Sequence, residues 1–184
     1  MVYLYNITVR IYYLLILLSA AFNKKAKLWI EGRKHIFTRM RDTVQKDDKI
    51  VWFHAASLGE FEQGRPFIEL LKKEKSDYRI LLTFFSPSGY EIRKNYSEVD
   101  FVSYLPQDTI KQSEKFIQII SPEFAFFVKY EYWYNYINQL YKNSIPLYII
   151  SAIFRKKHIF FKWYGKWFQT QLKKITYFFT QNEE

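Results

Sequence analysis

From Lys49 onward, apolar runs of five to eight residues alternate with segments whose apolar positions recur every three or four residues. The runs predict strands over Ile50–Ala55, Tyr78–Phe85, Phe101–Leu105, Phe124–Val128 and Leu147–Ala152. The intervening segments predict helices over Gly59–Lys75, Ser88–Tyr96, Thr109–Ile120 and Tyr132–Asn143. The connections are rich in Ser, Pro, Gly, Asp and Asn, as turns require. Strand and helix alternating at this spacing imply a mostly parallel sheet with helices on both faces, an α/β fold of Rossmann-like type. No G-x-G-x-x-G follows any strand and no P-loop is present, so dinucleotide and Walker-type nucleotide chemistry are not expected.

The first residues follow a different rule. Val2 to Phe22 is apolar apart from Asn6, Thr8, Arg10 and Ser19. Counted whole, the segment reaches the roughly 20 residues that cross a bilayer, provided Arg10 snorkels or faces a partner; counted from Ile11 it falls short. Lys24, Lys25, Lys27, Arg33 and Lys34 follow at once. Basic charge trailing an apolar segment keeps the following chain on the cytoplasmic side and does not fit a cleaved signal peptide. The reading is a membrane anchor over residues 1–23, spanning or interfacial, with a buried core helix as the alternative. A basic connecting segment (24–48) and the Rossmann-like domain (49–184) follow it.

Charge is distributed in the same way. The net charge of +10 splits into +6 over residues 1–50, −1 over 51–150 and +5 over 151–184. Basic ends around a neutral middle suit an anionic membrane or a nucleic acid. No recognised RNA- or DNA-binding signature is present, and the apolar N-terminus argues for the membrane. With 49% hydrophobic and 21% aromatic residues the chain can bury a core. There is no cysteine, which excludes disulfides and thiolate metal sites. His35, His54 and His158 lack ligand-like spacing, so no metal site is expected.

In such a sheet the loops after the strands converge on one edge, where open α/β folds hold their ligands. In order they read "HAASLGE", "TFFSPSG", "YLPQD", "VKYEYW" and "SAIFRKK". Glu60 in the first loop is either the acid of a helix cap begun by Ser57 or Gly59, or a catalytic carboxylate held at a strand end. Ser86, Ser88 and Gly89 precede a helix and offer N–H groups to an anion, or else cap it. Lys129, Glu131, Trp133 and Arg155 complete a rim of carboxylates, cations, hydroxyls and an aromatic plate. That set suits a polyhydroxylated, anionic substrate.

Together the blocks "WFHAASLGEFEQGRPFIE", "TFFSPSGYEIRKNY", "YLPQDT", "VKYEYW" and "SAIFRKKHIFFKWYG" resemble the 3-deoxy-D-manno-octulosonic acid (Kdo) transferases, most of all in versions from Bacteroidetes-type bacteria. The resemblance implies the N-terminal, acceptor-binding domain of a GT-B-type glycosyltransferase. Such an enzyme moves Kdo from CMP-Kdo to a lipid A precursor with inversion, at the cytoplasmic face of the inner membrane, and needs no cofactor. It implies Glu60, ending the S-x-G-E block, as general base, with Ser57 and Gly59 leaving room for the sugar and Gly59 permitting a tight turn. It implies Glu131 as a second acid that orients acceptor or donor, and Arg155 with the lysines of its loop after the last strand as partners of the Kdo carboxylate or a lipid phosphate. The chain departs from the family in having Tyr134 where Pro is common. Its end at "FFTQNEE" falls about where the family's first domain hands over to the donor-binding second, so the chain alone is expected to lack turnover. A non-catalytic, membrane-associated lipid A-binding remnant is the alternative.

Residues 158–174, "HIFFKWYGKWFQTQLKK", placed on one helix, bring Phe160, Trp163, Tyr164, Trp167 and Phe168 near one face with Lys162, Lys166, Lys173 and Lys174 beside them. This stretch reads either as a cover for the sheet or as an interfacial surface. In the second reading Trp163, Lys166 and Trp167 join Arg10, Lys24, Lys25 and Lys27 at the lipid headgroups.

Overall fold

The computed structural model describes residues 1–181; the last three residues of the expected 49–184 domain lie outside the described residues. Six parallel strands form one sheet: β1 (Ile50–Ala55), β2 (Arg79–Phe84), β3 (Phe101–Tyr104), β4 (Phe124–Val128), β5 (Leu147–Ala152) and β6 (Tyr177–Thr180). Their order is β3-β2-β1-β4-β5-β6. The chain builds outward from β1 to β3, then crosses back to lay β4 beside β1 and builds outward again. Phe53 pairs with Leu82 on one side and with Phe126 on the other. This is the doubly wound order, whose switch point between β1 and β4 opens a crevice at the strands' carboxyl ends.

The strands read as continuous apolar runs because both faces are covered. All six residues of β1 are buried. Ile50, Trp52, Leu81, Ala125, Phe127, Leu147 and Ile149 face α6 (Ile110–Ile120) and α7 (Tyr134–Lys142). Trp52 lies at the centre, with ring centroids 4.7 Å from Phe116, 4.8 Å from Phe127 and 5.5 Å from Tyr136. The alternate residues, Val51, Phe53, Ile80, Leu82 and Ile150, face α4 (Leu58–Glu74) through Phe61 and Ile68. Helix α5 (Pro87–Arg93) closes against β2, where Gly89 is buried.

Three expectations are corrected. Residues 24–48 are not a connector: they form α2 (Lys24–Glu31) and α3 (Ile36–Thr43), and Ile36 and Met40 enter the core. Asn23 caps α2 by accepting from the N–H groups of Lys25 and Ala26. Residues 158–174 do not form one helix. Two 3₁₀ turns, Ile159–Phe161 and Trp163–Gly165, fold back before α8 (Lys166–Leu172) begins. A Cβ at Gly165 would lie 1.8 Å from the Ile159 carbonyl oxygen, so the turns pack too closely for a side chain there. Phe160 is therefore buried while Trp163 is 93% exposed. Finally, β6 was not expected and adds an edge strand beside β5.

Helix α1 (Val2–Ser19) is, among the described residues, the one helix long and apolar enough to cross a membrane. It is docked along one side. Tyr5 packs edge-on to Tyr134 at 5.0 Å, Tyr12 stacks on Phe85 and Tyr13 leans on Trp29. Leu4, Ile7, Ile11, Leu14, Leu15 and Leu18, at helical spacing, remain exposed on the opposite side.

A pair of glycine substitutions tests this packing. A Cβ at Gly89 would lie 2.3 Å from the buried Phe84 ring, whereas one at Gly59 meets nothing within 4 Å. Gly89→Ala is expected to destabilise by about 1–3 kcal/mol through overpacking. Gly59→Ala should be neutral or gain up to about 1 kcal/mol of helix propensity. Denaturant midpoints of the two variants in detergent check both.

Candidate active site

Both carboxylates expected at the rim come from the loops flanking the switch point. Glu60 follows β1 in the first turn of α4. The Ser57 backbone N–H donates to Glu60 Oε2 at 2.9 Å, and the Ser57 hydroxyl lies 3.2 Å from the same oxygen. With the Ser57 side chain facing the Glu60 backbone N–H in return, this is a capping box, so the local cap reading is realised. It also holds one carboxylate oxygen fast and leaves Oε1 without a hydrogen-bond partner among the described residues. Gly59 lies within the helix and has no positive φ, so it makes no tight turn. Its missing side chain leaves open space beside Glu60.

Glu60 is half-buried, and burial raises its pKa. The negative charge of Glu131 raises it further, while the Ser57 hydrogen bonds and His54 oppose the rise. The two acids therefore sense one another across the crevice.

Glu131 is held from β1. The chain leaves β4 through Lys129, whose left-handed φ of 63° turns it out of the strand while its N–H still bonds the Ile150 carbonyl. Glu131 Oε2 accepts the Trp133 indole N–H at 2.6 Å and lies 3.4 Å from His54 Nε2. The same indole N–H also lies 2.9 Å from His54 Nε2. The other ring nitrogen, Nδ1, sits 2.9 Å from the Thr83 hydroxyl on β2. That hydroxyl accepts from Trp52 Nε1 at 2.8 Å and donates to the Phe53 carbonyl at 3.3 Å, so Nδ1 carries the proton and donates to it. The single indole N–H is shared between Glu131 Oε2 and His54 Nε2. His54 is fully buried and completely partnered. It had not been singled out in the sequence; the one available signal was an imidazole near the end of an otherwise apolar strand.

A third carboxylate organises the entrance. Asp108, in the loop after β3 (the "YLPQDT" block), is buried and accepts from the N–H groups of Asn135 at 3.2 Å and Tyr136 at 3.0 Å. These are orphan donors in the first turn of α7, which has no capping side chain of its own. Asp108 also takes the Tyr5 hydroxyl from α1. Asn135 Nδ2 bonds the Asp108 carbonyl at 2.5 Å and Asn6 Oδ1 at 3.1 Å. Tyr134, standing where the resemblance expected proline, packs at the start of α7 against Tyr5 and Trp167.

The remaining expected residues divide. Ser86 caps α5 by accepting from the Ser88 N–H, so Ser86, not Ser88, is the cap, and Gly89 is buried beneath Phe84. Trp133 stacks on Phe85 with centroids 4.7 Å apart. Arg155 is exposed beyond β5, its guanidinium without an ion pair among the described residues, as is the Lys129 ammonium. Arg10, Lys24, Lys25, Lys27, Trp163 and Lys166 are exposed, but Trp167 is turned inward against Tyr5 and Tyr134.

Residues 31–184 match the family model described as 3-deoxy-D-manno-octulosonic-acid transferase (kdotransferase). The chain belongs to the Kdo transferase family. Among curated relatives, the 3-deoxy-D-manno-octulosonic acid transferase of Haemophilus influenzae is 31% identical over 103 residues, 55% of this chain and 24% of the relative. That of Aquifex aeolicus is 37% identical over 84 residues, 45% and 23% respectively. A probable mitochondrial 3-deoxy-D-manno-octulosonic acid transferase of Arabidopsis thaliana is 32% identical over 110 residues, 59% and 25%. The chain thus spans about a quarter of the length of the curated relatives it matches.

Burial raises the Asp108 carboxyl from 3.8 to about 6 against the pull of its three donors. The folded state binds this proton more tightly than the unfolded chain. Its contribution to stability is therefore greatest below about pH 4, declines toward about pH 6 and is level above that. Urea unfolding in detergent between those values should show this slope in the wild type, and Asp108→Asn should remove it.

Proposed function

We propose that this chain is the acceptor-side half of a glycosyltransferase that moves Kdo from CMP-Kdo to a hydroxyl of a lipid A precursor, with Glu60 as general base. The observation that carries the reading is the pair of carboxylates at the switch point. One is half-buried with an unengaged oxygen, and the other is clamped by Trp133 next to His54. Glu60 Oε1 takes the proton of the acceptor hydroxyl as that oxygen bonds to the anomeric carbon. The bond from that carbon to the CMP phosphate breaks on the opposite face, CMP departs and the configuration inverts. Glu131, fixed by the indole N–H, orients the acceptor. Its charge also raises the Glu60 pKa, which makes Glu60 a stronger base once ionised.

Lys129 and Arg155, without ion pairs among the described residues, meet the donor's carboxylate. The exposed apolar side of α1, with Arg10, Lys24, Lys25 and Lys27, rests on the cytoplasmic face of an anionic membrane, and Trp163 and Lys166 extend that surface. Docking from Tyr5 to Tyr13 along the domain favours a helix lying in the interface over one that leaves the protein to cross the bilayer.

The test is Kdo transfer from CMP-Kdo to a lipid A precursor in detergent, with a family donor domain supplied in trans. Glu60→Gln should lower the rate by about 100-fold or more while acceptor binding persists. Binding without any transfer, in the wild type as well, would replace this reading with that of a non-catalytic lipid A binder.

The pH profile gives an independent check. Activity requires ionised Glu60, so kcat/KM should fall as pH drops through a pKa above the ordinary carboxylate range. Glu131→Gln removes the repelling charge and should move that acid limb to lower pH, whatever it does to the maximum rate.

A further inference from the structure

Two cavities lie beside the catalytic crevice, and together they describe an amphiphile. The first, about 290 Å³, runs between α1 and the loops after β2 and β3 and is lined mainly by apolar side chains, including Tyr12, Phe85 and Trp133. The second, about 630 Å³, lies between the α2–α3 turn and α6. It shares Tyr13, Trp29 and Gln107 with the first, so the two adjoin along that wall.

The second cavity is cationic. Arg33, Lys34, Arg41, Lys111 and Lys115 line it, and no carboxylate does. None of these five forms an ion pair among the described residues. A shallower extension adds Glu114 as its one acid while sharing Arg41, Lys111 and Lys115. Arg33 forms the floor, its guanidinium 3.7 Å from the Trp29 ring centroid and 4.8 Å from that of Tyr104. It donates to the backbone carbonyls of Leu105, Trp29 and Phe85, so its hydrogen bonds are met but its charge is not. Helix α3 enters the same cavity with no capping side chain and no acid in its first turn. Unneutralised cations of this density around a concave wall raise the local positive potential and favour a multiply charged anion.

We infer that the cationic bay built by Lys34, Arg41, Lys111 and Lys115 binds a phosphate group carried by the acceptor lipid, with an acyl chain in the adjoining apolar cavity. The inference rests on the proposed acceptor role. The order along the wall, from carboxylates to apolar cavity to cations, then matches an acceptor that presents a hydroxyl, an acyl chain and a phosphate from one head group. It places phosphate recognition on the α3–α6 side, away from Lys129 and Arg155.

Binding, not turnover, tests it. Affinity for a bis-phosphorylated lipid A precursor and for its dephosphorylated form is measured in detergent micelles by tryptophan fluorescence. Wild type is compared with Arg41→Ala/Lys111→Ala/Lys115→Ala and with the charge-retaining Arg41→Lys/Lys111→Arg/Lys115→Arg. All three positions are exposed, so the core is untouched. Loss of phosphate, or of the three cations, should each weaken binding about ten-fold or more, with the charge-retaining variant near wild type. Equal wild-type affinity for the two forms would overturn the inference while leaving the acceptor role standing. Failure of the wild type to bind either form would instead overturn the acceptor role. Sedimentation with phosphatidylglycerol vesicles forms the last arm. An equal loss there on removing the cations would assign the bay to the membrane surface and overturn an acceptor site.

Discussion

Everything that matters for chemistry in this fold depends on β4 pairing with β1. The chain has built three strands in one direction before it crosses back, and the two central strands then end side by side with their following loops diverging. A carboxylate placed a few residues after each strand must face the other across the gap. Had β4 continued outward from β3, Glu60 and Glu131 would be separated by the width of two strands, and neither would perturb the other. The pairing is held by burial on both faces, with Trp52 and Phe127 packed on one side and Phe53 and Phe126 on the other. Dispersion and desolvation at the centre of the sheet thus set the geometry of two acids at its edge.

The polar groups near that edge form a chain that starts in the core and ends at the surface. Trp52 and Thr83 are internal, His54 is at the boundary, and Trp133 and Glu131 are at the lip. Apart from the single indole N–H, which Glu131 and His54 share, each donor meets its own acceptor, and this permits an imidazole to be fully buried among aromatic rings. The arrangement stiffens Glu131 from behind and leaves Glu60, anchored through one oxygen only, as the member free to engage a ligand. Rigidity in one acid and accessibility in the other follow from how many hydrogen bonds each already makes.

The first five strands and four of the helices were legible because their apolar runs and periodicities are long enough to be unambiguous. Glu60 was legible as the acid of a helix cap begun by Ser57, and the capping box realises that reading. What was hidden has physical reasons. Helices α2 and α3 are eight residues each and dense in Lys and Arg, so two or three buried positions such as Trp29, Ile36 and Met40 do not stand out. The helical spacing of aromatics in 158–174 was real, but Gly165 sits where two turns touch backbone to backbone, a contact that no linear pattern encodes. The partners of His54 and Asp108 come from separate strands, loops and helices, so neither network exists until the sheet has formed.

Asp108 links pieces that sequence places far apart. One carboxylate satisfies the open end of α7, on which Trp133 is seated, and simultaneously takes a hydroxyl from α1. Lifting α1 away would strand a buried acid with a vacant lone pair and loosen the turn that aims the indole at Glu131. Helix α1 is therefore not interchangeable with any other apolar segment of equal length, because hydropathy would be preserved and the latch would not. The seating of α1 and the alignment of the indole are a single mechanical event in this molecule.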